Sequence, residues 1–195
     1  MKNCGCGQSR GFTLDEVEKI CKTLKSEHHK LFFRVGWFTG ARWGELCQLK
    51  VQNVYSEDWT PLRVITFARR TRKGKWDSLQ QPIGDLLREH LVRYAPKKRG
   101  LLYPGWLFPS PRCHGKHLSR DAMDDVLRRA IDKLGWRHRG YSTHGFRVGR
   151  ITQLAEVGEP SRLIQIYIGH RSLQSTERYM ERDRIQQRLI HIANA

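Results

Sequence analysis

The chain has 195 residues, enough for one domain with a real core, and its 36 Lys plus Arg against 19 Asp plus Glu give a net charge of +17. That excess, interleaved with six Trp, six Tyr and seven Phe, is the electrostatic footprint of a polyanion partner, although composition alone does not separate a DNA-acting protein from a basic ribosomal or RNA-binding one. Five unevenly placed cysteines argue against a paired disulfide framework, and no apolar run approaches the roughly 20 residues needed to cross a bilayer.

Residues 1–11 are polar, Gly- and Cys-containing, and predict a flexible tail. Thr13 followed three positions later by Glu16 reads as a capping box opening a helix to about Leu24. The apolar run Leu31 to Trp37 predicts a buried helix ending near Thr39-Gly40, and a further short helix is expected to carry Arg42 and Glu45. Between Leu62 and Ile83 the pattern turns β-branched and alternating, with a turn at Lys73-Gly74-Lys75, so a β-hairpin ending at Pro82 is expected. Helices follow at about 84–94, 119–134, 144–156, 161–167, 173–180 and 182–193. The predicted fold class is mainly α with one small antiparallel sheet, and no internal repeat is visible.

Three short segments carry the chemistry. His144-Gly-Phe-Arg147 places an imidazole and a guanidinium three residues apart, on one face if the stretch from His144 to Glu156 is helical. Upstream, Arg42-x-x-Glu45 repeats that spacing with a carboxylate able to orient the guanidinium. Downstream, Gly169-His170 is followed by Tyr179. A phenol is a poor nucleophile while protonated and needs a neighbouring base and cations to stabilise developing negative charge. Singly, each residue has an ordinary structural use: a tyrosine on an amphipathic helix, a capping histidine, an arginine holding a core carboxylate.

Taken in order, Arg42, a lysine of the basic turn, His144-x-x-Arg147, Gly169-His170 and Tyr179 resemble the catalytic domain of the tyrosine recombinases, or phage integrase family, from about Phe12 to about Arg188. The resemblance implies that fold and DNA strand breakage and rejoining in site-specific recombination, with Tyr179 attacking a backbone phosphorus to form a 3′-phosphotyrosyl link. It implies that Arg42 and Arg147 grip the non-bridging oxygens, that His144 acts as acid/base on the tyrosine proton, and that His170 donates to the phosphate. Lys73 is implied to protonate the leaving 5′-oxygen, with Lys75 the second choice, and Glu45 supports the site. Arg69, Arg70, Arg72 and Lys75 make the hairpin turn the most concentrated positive patch, read as DNA-contacting, although a charge run is more often simply solvated.

The expected domain is 12–195 with a C-terminal helix and no separate core-binding domain. An excised fragment, a truncated remnant and a natural single-domain enzyme all fit that expectation. Expected partners are double-stranded DNA and, on paired sites, three further copies in a homotetramer, with a monomer in solution. The expected location is the cytoplasm, with the nucleoid or as a virus-encoded enzyme in a host. No cofactor and no metal are expected: Cys4-Gly-Cys6 and Cys113-His114-x-x-His117 lack a second ligand pair at structural-zinc spacing, and Gly115-Lys116-His117 lacks the Walker spacing. A type IB topoisomerase and a non-catalytic DNA-binding accessory protein are the competing readings. Val148-Gly149-Arg150 departs from the family, where many members carry a histidine and a small hydroxyl residue, so different packing is expected beneath the site.

Overall fold

The computed structural model describes residues 9–72, 77–94, 96, 100–180 and 192; Lys73, Lys75 and, apart from residue 192, the expected helix at 182–193 lie outside them. Helix α1 (Leu14–Thr23) starts as the sequence predicts: the Thr13 side chain accepts from the Glu16 N–H, and the Glu16 carboxylate accepts from the Thr13 N–H. Helix α2 (Glu27–Thr39) begins earlier than its apolar run, because Ser26 caps it, and ends where Gly40 takes the left-handed conformation at φ 59°. Helix α3 (Trp43–Cys47) is one short turn. Strands β1 (Val64–Phe67) and β2 (Leu79–Pro82) pair antiparallel, Val64 opposite Pro82 and Phe67 opposite Leu79. Helices α4 (Asp85–Tyr94), α5 (Arg120–Lys133), α6 (Gly145–Glu156) and α7 (Ser161–Ile168) follow, and residues 173–180 form a last helical stretch, α8.

Two expectations about helix starts are corrected. Arg42 and His144 both sit at the N-cap, one residue before α3 and α6 respectively, rather than inside the helices. The three-residue spacing still works, because an N-cap side chain and the N3 side chain meet over the first turn. A third correction concerns the tail. Its last residues, 9–11, are pinned: the Arg10 N–H donates to the Gly140 carbonyl, and the Ser9 hydroxyl accepts from the Ser142 N–H.

The main core joins α1, α2, α4, α5 and the start of α6 around Phe12, Phe32, Phe33, Trp43, Phe108 and Phe146, all buried. Their rings meet at centroid distances of 4.7 to 5.6 Å in tilted and edge-on pairs such as Phe32–Trp43 and Phe33–Phe146. A second, much smaller cluster of Ile151, Ile164 and Ile168 lies between α6 and α7, with Tyr179 and Met180 packed against it.

The departure at 148–150 has a structural use. A Cβ at Gly149 would collide with the Phe12 carbonyl oxygen, and one at Gly145 with the Arg10 carbonyl oxygen. These glycines let residues 10–12 run directly over α6. Arg150 is held between the faces of Trp37 and Tyr167, 5.4 Å from each ring centroid.

Candidate active site

Each basic motif is assembled by its own helix start. The Glu45 carboxylate is buried and accepts from both the backbone N–H of Arg42 (2.9 Å) and its Nη1 (3.1 Å). One carboxylate thus closes the first turn of α3 and aims a partly exposed guanidinium. On α6, Arg147 occupies N3, is 2% exposed, and donates from Nη1 to the Gly40 carbonyl (2.7 Å) and from Nη2 to the Ile168 carbonyl (3.1 Å). Those carbonyls end α2 and α7, so Arg147 ties together the turns that carry Arg42 and His170.

Four of the predicted residues form a connected set. The Nε–H of Arg147 donates to His170 Nε2 (3.2 Å), and His144 Nε2 lies 2.8 Å from the Tyr179 hydroxyl. The His170 ring stacks on Tyr179 at 5.8 Å between centroids, 15° from parallel. Tyr179 is half-buried, its phenol neither sealed in the core nor lying free on the surface. Arg42 completes the group, since its charge, with that of Arg147, acts on both imidazoles.

The electrostatics follow from crowding cations in a partly dry site. Burial, then Arg147 and Arg42, hold His144 below the ordinary histidine range; burial and the same two cations push His170 down to about 3. Burial and the neighbouring Arg42 lower even Arg147 to about 9. Two neutral imidazoles beside two guanidiniums therefore face the Tyr179 phenol. A neutral His144 is a base within reach of the phenolic proton, and an anion entering the group would relieve its mutual repulsion.

The hairpin is tied to the same region. Arg72 donates from Nη2 to the Gly169 carbonyl (3.2 Å) and from Nη1 to the Asp77 carbonyl (2.7 Å). Gln81 on β2 is fully buried and donates to the carbonyls of Thr39 (2.8 Å) and Tyr167 (2.5 Å). Arg69 and Arg70 are exposed, as a DNA-facing reading of the turn requires; Lys73 and Lys75 fall outside the described residues. Gln81 and Thr176 escaped the sequence reading, although each had a signal: Gln81 occupies an inward position in the strand alternation, and Thr176 stands three residues before Tyr179 on one helix face. Among the described residues there is no group of three or more His, Cys, Asp or Glu able to hold a metal, and no helix long and apolar enough to cross a membrane.

Comparison with known proteins adds a family and a fold. The profile of the phage integrase family matches residues 10–184. A Sinorhizobium fredii protein named integrase/recombinase y4qK is 27% identical over 166 residues, covering 85% of this chain and 50% of the relative. The tyrosine recombinase XerA of Pyrococcus horikoshii is 27% identical over 171 residues, covering 87% of this chain and 56% of the relative. The chain thus spans about half the length of these relatives. Among solved structures, the XerH site-specific recombinase bound to a palindromic difH substrate after cleavage superposes with a TM-score of 0.73 at 22% identity, covering 99% of this chain and 55% of the other. The XerA recombinase gives 0.71 at 21%, covering 93% and 66%. At these identities the superpositions establish the fold, mainly α with a small antiparallel sheet.

Proposed function

Because the chain belongs to the phage integrase family, we propose that it catalyses site-specific DNA recombination, with Tyr179 as the nucleophile on a backbone phosphodiester. The observation that carries this reading is the 2.8 Å contact between His144 Nε2 and the Tyr179 hydroxyl. As the phenolic oxygen bonds to phosphorus, its proton passes to His144, and the 5′-oxygen leaves as the old ester bond breaks. The 3′-phosphotyrosyl link keeps the energy of that ester, so the reverse attack by a 5′-hydroxyl rejoins a strand without a nucleotide cofactor.

Arg42 and Arg147 stabilise the charge on the non-bridging oxygens, where permanently charged planar donors suit a crowded phosphorane. Three of the five N–H groups of Arg147 are committed to protein acceptors, which fixes the guanidinium and leaves one N–H on each Nη nitrogen for phosphate. His170 is the second imidazole at the phosphate, Glu45 orients Arg42, and Lys73, with Lys75 as the other candidate, protonates the leaving 5′-oxygen. Arg69, Arg70 and Arg72 belong to the turn that meets the duplex. The partner is double-stranded DNA, as in the solved XerH complex with difH, and the working assembly is a homotetramer on paired sites that forms from monomers. Residues 12–195 make up the catalytic domain.

The test is covalent trapping on a nicked duplex carrying a candidate site. The wild type yields an adduct that survives denaturing electrophoresis, and Tyr179→Phe yields none while its thermal melt is unchanged. An adduct retained by Tyr179→Phe overturns the assignment. Relaxation of supercoils irrespective of sequence, with no strand exchange between sites, moves the reading to a topoisomerase.

A further inference from the structure

His170 has both ring nitrogens engaged, and the two partners together fix where its proton is. An arginine Nε carries a hydrogen it always donates, so His170 Nε2, 3.2 Å from Arg147 Nε, has to accept. In the neutral ring the proton then sits on Nδ1, which faces the Thr176 hydroxyl at 2.8 Å. Thr176 is fully buried and stands one helical turn before Tyr179 on α8, whose ring stacks on His170. A hydroxyl can donate as well as accept by simple rotation.

That versatility matters because the roles proposed above need the opposite tautomer. To donate to a phosphate oxygen, His170 presents Nε2–H, which leaves Nδ1 as an acceptor. We propose that Thr176 is a positioning residue whose hydroxyl holds the His170 ring in both tautomers, accepting from Nδ1–H while Arg147 occupies Nε2 and donating to Nδ1 once Nε2–H turns to the phosphate. One proton leaves Nδ1 for water and one arrives at Nε2 from water, so the ring stays neutral. Because Thr176 and Tyr179 share a helix face, the same hydrogen bond also couples the ring to the placement of the nucleophile. This inference rests on the recombinase reading for its phosphate, but its DNA-free half stands on the geometry alone.

The experiment is nitrogen-15 NMR of the histidine side chains of the full chain, with His170 assigned by its loss in His170→Gln, alongside adduct kinetics on the nicked duplex. Without DNA, the wild type shows His170 as the Nδ1–H tautomer; with Tyr179→Phe bound to uncleaved duplex, it shows Nε2–H. Thr176→Val keeps the shape but removes the hydroxyl: without DNA Arg147 still holds Nε2 as an acceptor, so the Nδ1–H tautomer persists, while on bound duplex the Nε2–H form loses its support at Nδ1 and adduct formation is slower by about 10-fold, the lower end of the loss for residues that orient a functional imidazole. Thr176→Ser restores the rate. A wild-type His170 in the Nε2–H form without DNA overturns the inference however the variants fold, as does a Thr176→Val protein with a wild-type rate. Absence of any wild-type adduct instead overturns the recombinase reading, leaving the DNA-free tautomer result intact.

Discussion

The start of α6 and the α8 stretch supply opposite sides of the same site on very different foundations. His144 and Arg147 flank Phe146, which is sealed in an aromatic core with Phe12, Phe33 and Trp43, and Arg147 is bolted to two backbone carbonyls. Tyr179 rests on a cluster of three buried isoleucines and on single hydrogen bonds through His144 and Thr176. Local stability follows buried apolar contact, so the start of α6 has the firmer foundation and α8 the slighter one, which suits the roles proposed for them: preorganised phosphate-binding groups on one side and a nucleophile that travels with its strand on the other.

Removing one group from each foundation tests that contrast. Phe146→Ala strips a fully buried ring from the aromatic core and is expected to lower unfolding stability by about 3–5 kcal/mol, read by denaturant titration. Ile164→Ala, beneath α8, is expected to cost about 2 kcal/mol, at the low end for such truncations because its surroundings can settle. Its signature is faster amide exchange in residues 173–180 with α2 unchanged. Equal global losses for the two variants would erase the distinction between the regions.

The smallest effect is a pH dependence. His144 and His170 have folded-state pKa values below the ordinary histidine value, so on acidification the unfolded chain takes up their protons first. Their contribution to stability is present above about pH 6.5 and is lost as pH falls from there toward 3. Denaturant midpoints measured from pH 7.5 to 4 should fall for the wild type and fall less steeply for His170→Gln; parallel slopes would place the pH sensitivity elsewhere.

Much of this arrangement is legible in the chain because its causes are local. Thr13 with Glu16, Ser119 before α5 and Gly40 after α2 mark helix ends through bonds that span a few residues. The β-branched alternation of Leu62 to Phe67 marks the strand. The candidate site residues also stand in the order that spacing and family resemblance imply. What spacing could not supply was helix phase at the motifs, where His144 proves to be the N-cap of α6, and the crossing of residues 10–12 over that helix, which a Cβ at Gly145 or Gly149 would block.

The amino-acid sequence by itself therefore determined the helix caps, the strands of the hairpin and the strongly basic balance, since these follow from composition and from neighbours along the chain, while family resemblance proposed the residues for the phosphate. Tertiary structure alone decided that Arg147 spends its guanidinium on Gly40, 107 positions away, that Arg72 holds Gly169 across 97, and that His144 meets Tyr179 across 35. It also decided the tautomer of His170, because a ring proton is placed by whichever donor and acceptor the fold brings to each nitrogen, and no local pattern encodes that choice.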